Sequence, residues 1–207
     1  NLTFALSKAL TLKRSGMNLV LSNTCRNLRA YKTKQQKLNE YIKQYTRLTV
    51  VIDSVSYIHN FVNLVSDSNN KTSIIDSYNI LALRCKPKAG TNNNDVASLF
   101  EQLCTKTDCD IITLDQGKRL NFFLQKSCVK LALQRGAVFE INYGQGMLEN
   151  YASERKTFLQ NAMSIIKLTK GKGIILSSES NNRLFMRSPI DVCSIGKLLG
   201  LNDQQAR

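Results

Sequence analysis

The sequence predicts an α/β protein, a TIM-like (β/α) barrel of parallel strands. Three observations lead there. Short apolar runs of Val, Ile and Leu recur without polar alternation, as in strands buried on both faces. Amphipathic stretches with helical spacing separate most of them. The units repeat every ~30 residues, the spacing of a barrel. A chain of 207 residues lies near the low end for eight units. The expectation is an incomplete or seven- to eight-stranded barrel, folded as a single domain over residues 1–207. An open doubly wound sheet fits the same order, but no GxGxxG follows the first strand.

Each element has its own warrant. A strand is expected at Asn18–Leu21, with another at Asn1–Phe4. Between them Leu6, Ala9, Leu10 and Lys13 have helical spacing, with Gly16 as the stop. Leu48–Ile52 precedes a helix over Val55–Val65, and Ile80–Leu83 precedes one over Val96–Lys106. Asp110–Leu114 leads to Ser127–Gln134, which stops at Arg135-Gly136. Val138–Ile141 leads to the longest helix, about Leu148–Thr169, with Phe158, Ala162, Ile165 and Ile166 on one face. Gly173–Leu176 leads to Asp191–Leu199, closed by Gly200. Consecutive βα units require parallel strands and right-handed crossovers. The Ser/Asn-rich Asp67–Ser77 and Asn92–Asn94 read as loops. Residues 26–47 form a basic connection, with Arg26, Arg29, Lys32, Lys34, Lys37, Lys43 and Arg47 against Glu40 alone.

Charge and composition narrow the function. The net charge of +14 points to a polyanionic partner, nucleic acid or an anionic surface. No apolar run reaches the ~20 residues of a spanning helix, so no membrane insertion is expected. The chain opens on Asn1 rather than Met and shows no signal-peptide pattern, which leaves room for a preceding segment. Six cysteines (Cys25, Cys85, Cys104, Cys109, Cys128, Cys193) with no CxxC pair read as reduced, intracellular packing residues. His59 is the single histidine and has no nameable orienting partner. It reads as a helical residue rather than a base or a metal ligand.

Function in parallel α/β folds gathers at the carboxyl ends of the strands. Those ends read Ser22-Asn23, Asp53-Ser54, Arg84-Cys85-Lys86, Asp115, Tyr143 and Ser177-Ser178-Glu179. No nucleophile–base pair is among them. Asp53 and Asp115 could share a Mg²⁺ ion if they converge, although Asp after a strand is also a good helix N-cap. Arg84, Lys86, Lys118, Arg119 and Arg187 could form a phosphate track on one rim. Lys170-Gly171-Lys172-Gly173 lies on the opposite rim, either a plain turn or a phosphate contact. It lacks the Ser/Thr of a P-loop and precedes a strand, which argues against nucleotide hydrolysis.

Several segments together resemble one family. They are Phe100–Cys104 through Asp108–Leu114, Arg119–Leu124, Ala132–Gly136 with Phe139–Tyr143, Asn161–Ser164, Lys170–Ile175 with Ser177-Ser178, and Arg187–Val192 with Leu199–Leu201. In order and spacing they are similar to the TIM-barrel protein subunit of eukaryotic and archaeal ribonuclease P, shared in eukaryotes with RNase MRP. The likeness runs from about Arg47 to Leu201. The first 45 residues match in pattern only. Two positions depart from the family: Ser188 stands where Gly is usual, and Gly144-Gln145 where Ser-Pro is usual.

The resemblance implies a non-catalytic RNA-binding subunit of a ribonucleoprotein that removes the 5′ leader of precursor tRNA, and processes precursor rRNA where it serves RNase MRP. Chemistry would belong to the RNA subunit with its Mg²⁺, and no cofactor would be bound by this chain. Partners would be the catalytic RNA and other protein subunits, above all a small one with an RNA-recognition-like fold. Precursor tRNA would be met indirectly. A eukaryotic member would sit in the nucleus and nucleolus. The barrel type is similar to metal-dependent phosphoesterases of the polymerase-and-histidinol-phosphatase type, whose metal-binding histidine set this chain lacks. Family match and strand-end logic together single out Arg84, Lys86, Lys118, Arg119, Lys170, Lys172 and Arg187 as RNA contacts, with Arg155 and Lys156 beside them. Catalytic and metal-binding residues are expected to be none. The competing expectation is a barrel phosphoesterase using Asp53 and Asp115; a third is a protein-interaction scaffold whose charge serves solubility.

Overall fold

A computed structural model describes residues 8–14, 17–23, 45–66, 78–87, 90–120, 122–147, 152–180 and 186–206. Among these residues seven strands form one sheet in chain order. They are β1 (Lys8–Arg14), β2 (Met17–Asn23), β3 (Arg47–Ile52), β4 (Ile80–Cys85), β5 (Ile111–Leu114), β6 (Val138–Asn142) and β7 (Ile174–Ser177). Helix α1 (Val55–Ser66) follows β3, α2 (Asn93–Lys106) follows β4, and α3 (Lys126–Gln134) follows β5. A short α4 (Gly144–Met147) and the long α5 (Ala152–Thr169) follow β6; α6 (Pro189–Leu198) follows β7. Strands β3 to β7 are parallel, each beside the one before it. That progression is the one a (β/α) barrel requires.

The amino-terminal part departs from expectation. Of the helix read through Leu6, Ala9, Leu10 and Lys13, Leu6 lies outside the described residues and Ala9, Leu10 and Lys13 belong to strand β1, antiparallel to β2; β2 is antiparallel to β3. Leu10 and Leu12 also alternate with period two, and they pair with Leu21 and Leu19 across the hairpin. Gly16, read as the helix stop, lies outside the described residues, and Arg14 pairs with Met17. Cross-strand pairing thus overrides a helical spacing that was only two turns long. The strand expected at Asn1–Phe4, the loop Asp67–Ser77 and most of the basic connection 26–47 lie outside the described residues. Asn92 is the N-cap of α2 rather than part of a loop, and Asn93-Asn94 open that helix.

Alternation sorts the parallel strands into two faces. Leu48, Val50 and Ile52 of β3, Leu83 and Cys85 of β4, and Ile112 and Leu114 of β5 belong to the buried core. Phe100, Leu103 and Cys104 of α2 and Val129 and Ala132 of α3 cover them. Ile141 of β6 packs with Phe158, Ala162 and Ile166 of α5 and with Leu199 and Leu201. The four α5 residues chosen from their spacing are therefore all buried. Gly136 takes φ +91° as it ends the turn after α3, a conformation that favours glycine. The five described cysteines are free thiols.

Candidate nucleic-acid interface

The opposite face of the sheet mixes polar and charged residues with apolar ones such as Val51, Ala82, Ile111 and Ile175. It carries Arg47, Arg84, Thr113, Glu140, Asn142 and Ser177 from β3 to β7. Arg47 Nη1 and Nη2 donate to Glu140 Oε1 and Oε2 at 2.5 and 2.7 Å, a bidentate pair. Arg84 pairs with Glu179, which lies just after β7. Each pair joins strands three places apart in the sheet order. In a flat sheet such strands would be about 14 Å apart. Both pairs therefore cross the hollow of a curled sheet, and the curl is that of a partial barrel.

Glu140 is 3% exposed. Burial alone would raise its carboxyl, but the hydrogen bonds and charge of Arg47 outweigh that, helped by Ser177 and the charge of Arg84, and hold it below the usual range. Asn142 Nδ2 donates to Glu179 Oε2 at 2.7 Å, and Ser177 Oγ donates to Asn142 Oδ1 at 2.6 Å. Glu179, bonded by Arg84 and Asn142, sits at φ +47°, a left-handed conformation costly for a residue with a Cβ.

Basic side chains gather on the segments that follow these strands. Lys86 follows β4 and is exposed. Lys118 and Arg119 follow β5, both exposed; Lys118 approaches Asp115 at 3.7 Å, a weak surface pair. Arg155 and Lys156 are exposed in the first turns of α5, after β6, and Arg155 Nε donates to the Gly146 carbonyl at 3.1 Å. Arg187 is exposed ahead of α6. These six share the carboxyl-end rim by topology. Arg84 differs from them: it points into the hollow and its charge is already paired with Glu179.

The β5 loop is held from beneath. Gln116 is fully buried; its Nε2 donates to the Glu140 carbonyl at 2.6 Å and its Oε1 accepts from Asn142 N at 2.9 Å. Asn161 Nδ2 of α5 donates to the carbonyls of Gln116 and Lys118, both at 2.8 Å. Four hydrogen bonds thus fix the turn that presents Lys118 and Arg119.

Lys170 and Lys172 are exposed on the opposite rim, between α5 and β7. The glycine-rich stretch closes the helix: Gly171 N donates to Ile166 O, and Lys172 N donates to Thr169 O. Those two backbone donors are occupied, so the charge a phosphate would meet there is that of the Lys170 and Lys172 side chains.

Asp53 and Asp115 stand at the ends of β3 and β5. Among the described residues no three His, Cys, Asp or Glu side chains come together as a metal cluster. His59 is an exposed residue of α1. No helix among the described residues is long and apolar enough to cross a membrane.

The two departures from family pattern have structural roles. Ser188 caps α6: its Oγ accepts from Asp191 N at 3.2 Å while Asp191 Oδ2 accepts from Ser188 N at 3.3 Å, with Pro189 next. Gly144 lies so close to the β7 loop that a Cβ there would sit 2.1 Å from the Ser178 carbonyl oxygen.

Five parallel strands curled around paired charges, with exposed cations on the segments that follow them, define a barrel-type α/β protein that displays positive charge on its rim. Its family is shown directly: the model of the RNase P subunit p30 family matches residues 3–207, and the chain belongs to that family. It is 33% identical over 165 residues to protein GAMETOPHYTE DEFECTIVE 1 of Arabidopsis thaliana, covering 80% of this chain and 25% of the relative. It is 28% identical over 166 residues to ribonuclease P protein subunit p30 of Mus musculus, covering 80% and 55%. With the probable ribonuclease P protein subunit 3 of Schizosaccharomyces pombe the identity is 30% over 168 residues, covering 80% and 62%. The chain thus spans between a quarter and about three-fifths of these relatives. In fold it is similar to a chain of the cryo-EM structure of archaeal ribonuclease P with mature tRNA, at TM-score 0.57 and 16% identity over 87% of this chain and 71% of that one.

Proposed function

We propose that this chain is a non-catalytic, RNA-binding protein subunit of the ribonuclease P and RNase MRP ribonucleoproteins. It supports removal of the 5′ leader from precursor tRNA, and precursor-rRNA processing where it serves RNase MRP. The observation that carries the reading is the rim of exposed cations on strand-end loops, in a member of the RNase P subunit p30 family. Lysine and arginine lower the repulsion between packed phosphates and release condensed counterions. A-form grooves hide base edges, so phosphate and shape contacts dominate on paired RNA. Lys86, Lys118, Arg119, Arg155, Lys156 and Arg187 make those contacts on one rim, Lys170 and Lys172 on the other. Arg84 joins them only by leaving Glu179. Mg²⁺ belongs to the RNA subunit. The other partners are protein subunits, among them a small one with an RNA-recognition-like fold, and the setting is the nucleus and nucleolus.

The test is cleavage of precursor tRNA with Mg²⁺, by the purified chain and by the complex isolated through it, each with an RNA-digested control. Activity confined to the RNA-containing complex is expected. Activity of the chain alone that survives RNA digestion and is lost in Asp53→Asn or Asp115→Asn would overturn the proposal.

A further inference from the structure

The segment after β5 carries both core-facing and exposed side chains. Leu120, Phe122 and Leu124 pack against the core, and the Phe122 ring lies 5.7 Å from that of Phe100 at 47°. Between Phe122 and Leu124, Phe123 is 95% exposed. Its neighbours on both sides hold the backbone, so the ring is displayed on a fixed stretch of chain rather than on a loose one. The same segment begins with exposed Lys118 and Arg119 and ends at exposed Gln125 and Lys126. A phenyl ring kept almost wholly in water costs hydrophobic free energy unless something covers it.

We infer that Phe123 is a stacking platform for an unpaired RNA base, with Lys118 and Arg119 holding the adjoining phosphates. The inference rests on the RNA-binding reading and deepens it. An aromatic face beside cations is the physical combination that retains single-stranded nucleic acid. Bases in a duplex are already stacked, so a ring on the rim can receive only an unpaired or splayed nucleotide. The exposed side chains that flank the ring along the chain, Lys118, Arg119, Gln125 and Lys126, are cationic or polar. A protein hot spot would need an apolar, desolvated pocket around the ring. The loop thus reads single-stranded RNA, while the remaining rim cations contact phosphates of any conformation.

The test uses the full chain and two RNA probes, a blunt duplex and a hairpin whose loop carries a fluorescent adenine analogue. Phe123→Ala should weaken hairpin binding roughly tenfold and abolish quenching of the analogue, with duplex binding unchanged. Its salt slope should match the wild type, because stacking releases no counterions. Phe123→Trp should restore both affinity and quenching, and Phe123→Leu should not. An exposed side chain leaves thermal unfolding of these variants at the wild-type temperature. Wild-type hairpin affinity in Phe123→Ala, or full function in Phe123→Leu, overturns the inference. So does unchanged RNA binding with lost capture of a protein subunit, which would make the ring a protein contact. The Lys118→Ala/Arg119→Ala variant separates the two levels. If it lowers the salt slope by about two while Phe123→Ala is silent, only the stacking fails. If both are silent, RNA binding by this rim fails as well.

Discussion

Replacing Glu140 by leucine should destabilise the protein by about 2–3 kcal/mol at neutral pH. Removing one member of a fully buried ion pair costs about 3–5 kcal/mol, most of it from the charge left behind. Glu140 is 3% exposed, but Arg47 is 25% exposed, so its guanidinium recovers part of its hydration and the loss falls at or just below the bottom of that range. Adding Arg47→Met removes the stranded charge and should return most of the loss. The pH dependence has a definite sign. Burial raises the Glu140 carboxyl, but Arg47 outweighs it, so the folded value lies below the ordinary one of about 4.3. The ionised pair therefore contributes fully above the unfolded value, and its contribution is lost as pH falls through the folded one. Urea unfolding followed by far-ultraviolet circular dichroism, from neutral pH downward, reads the difference. The gap between wild type and Glu140→Leu should narrow in acid. A gap that stays constant to about pH 3 would refute this reasoning, since the carboxyl would then have been uncharged or unpaired throughout. A double variant no more stable than the single one would refute it equally.

Other expectations follow from single contacts. Ser188→Ala removes the cap of α6 and should cost about 1 kcal/mol, a fall of about 2–4 °C in thermal midpoint. Ser188→Gly should cost only a few tenths. Gly144→Ala drives a Cβ onto the Ser178 carbonyl, which is backbone and yields little, so a loss of about 1–3 kcal/mol is expected in urea titrations. Burial pushes the Cys85 thiol up to about 12 and that of Cys109 up to about 11, and raises Cys104 further. Iodoacetamide at neutral pH should leave these three unmodified in the native protein and label them in urea, as read by mass spectrometry.

Much of the frame was legible in the sequence because it rests on local signals. The runs around Val50, Leu83, Ile112, Phe139 and Ile174 each became a strand, and the α5 stripe of Phe158, Ala162, Ile165 and Ile166 became a buried face. The hairpin was missed because a short segment holding Leu10 and Leu12 satisfies both periods, and its partner decides which wins. The ion pairs of the inner face were missed for a different reason. Arg47 read as the end of a basic connection, Arg84 as a rim cation and Glu140 as part of an apolar run. Only the curl of the sheet brings these distant positions together. A lone carboxylate within Val138–Asn142 was the available signal, since a buried acid requires a partner. Gln116 and Asn161 gave no comparable sign, because their role is to satisfy backbone groups that sequence does not mark.

The two cross-hollow pairs have a consequence for how the molecule responds to ionic strength. Arg47, Glu140, Arg84 and Glu179 contribute equal numbers of opposite charges, so the described inner face is electrically neutral and the surplus of +14 resides elsewhere. Salt screens exposed charges over about 10 Å at 0.1 M but reaches paired and sheltered ones far less. Concentrated salt should strip polyanions from the rim while the curled sheet stays closed around its ion pairs. Dissociation and unfolding are thereby placed on separate axes: one moves with salt, the other with acid.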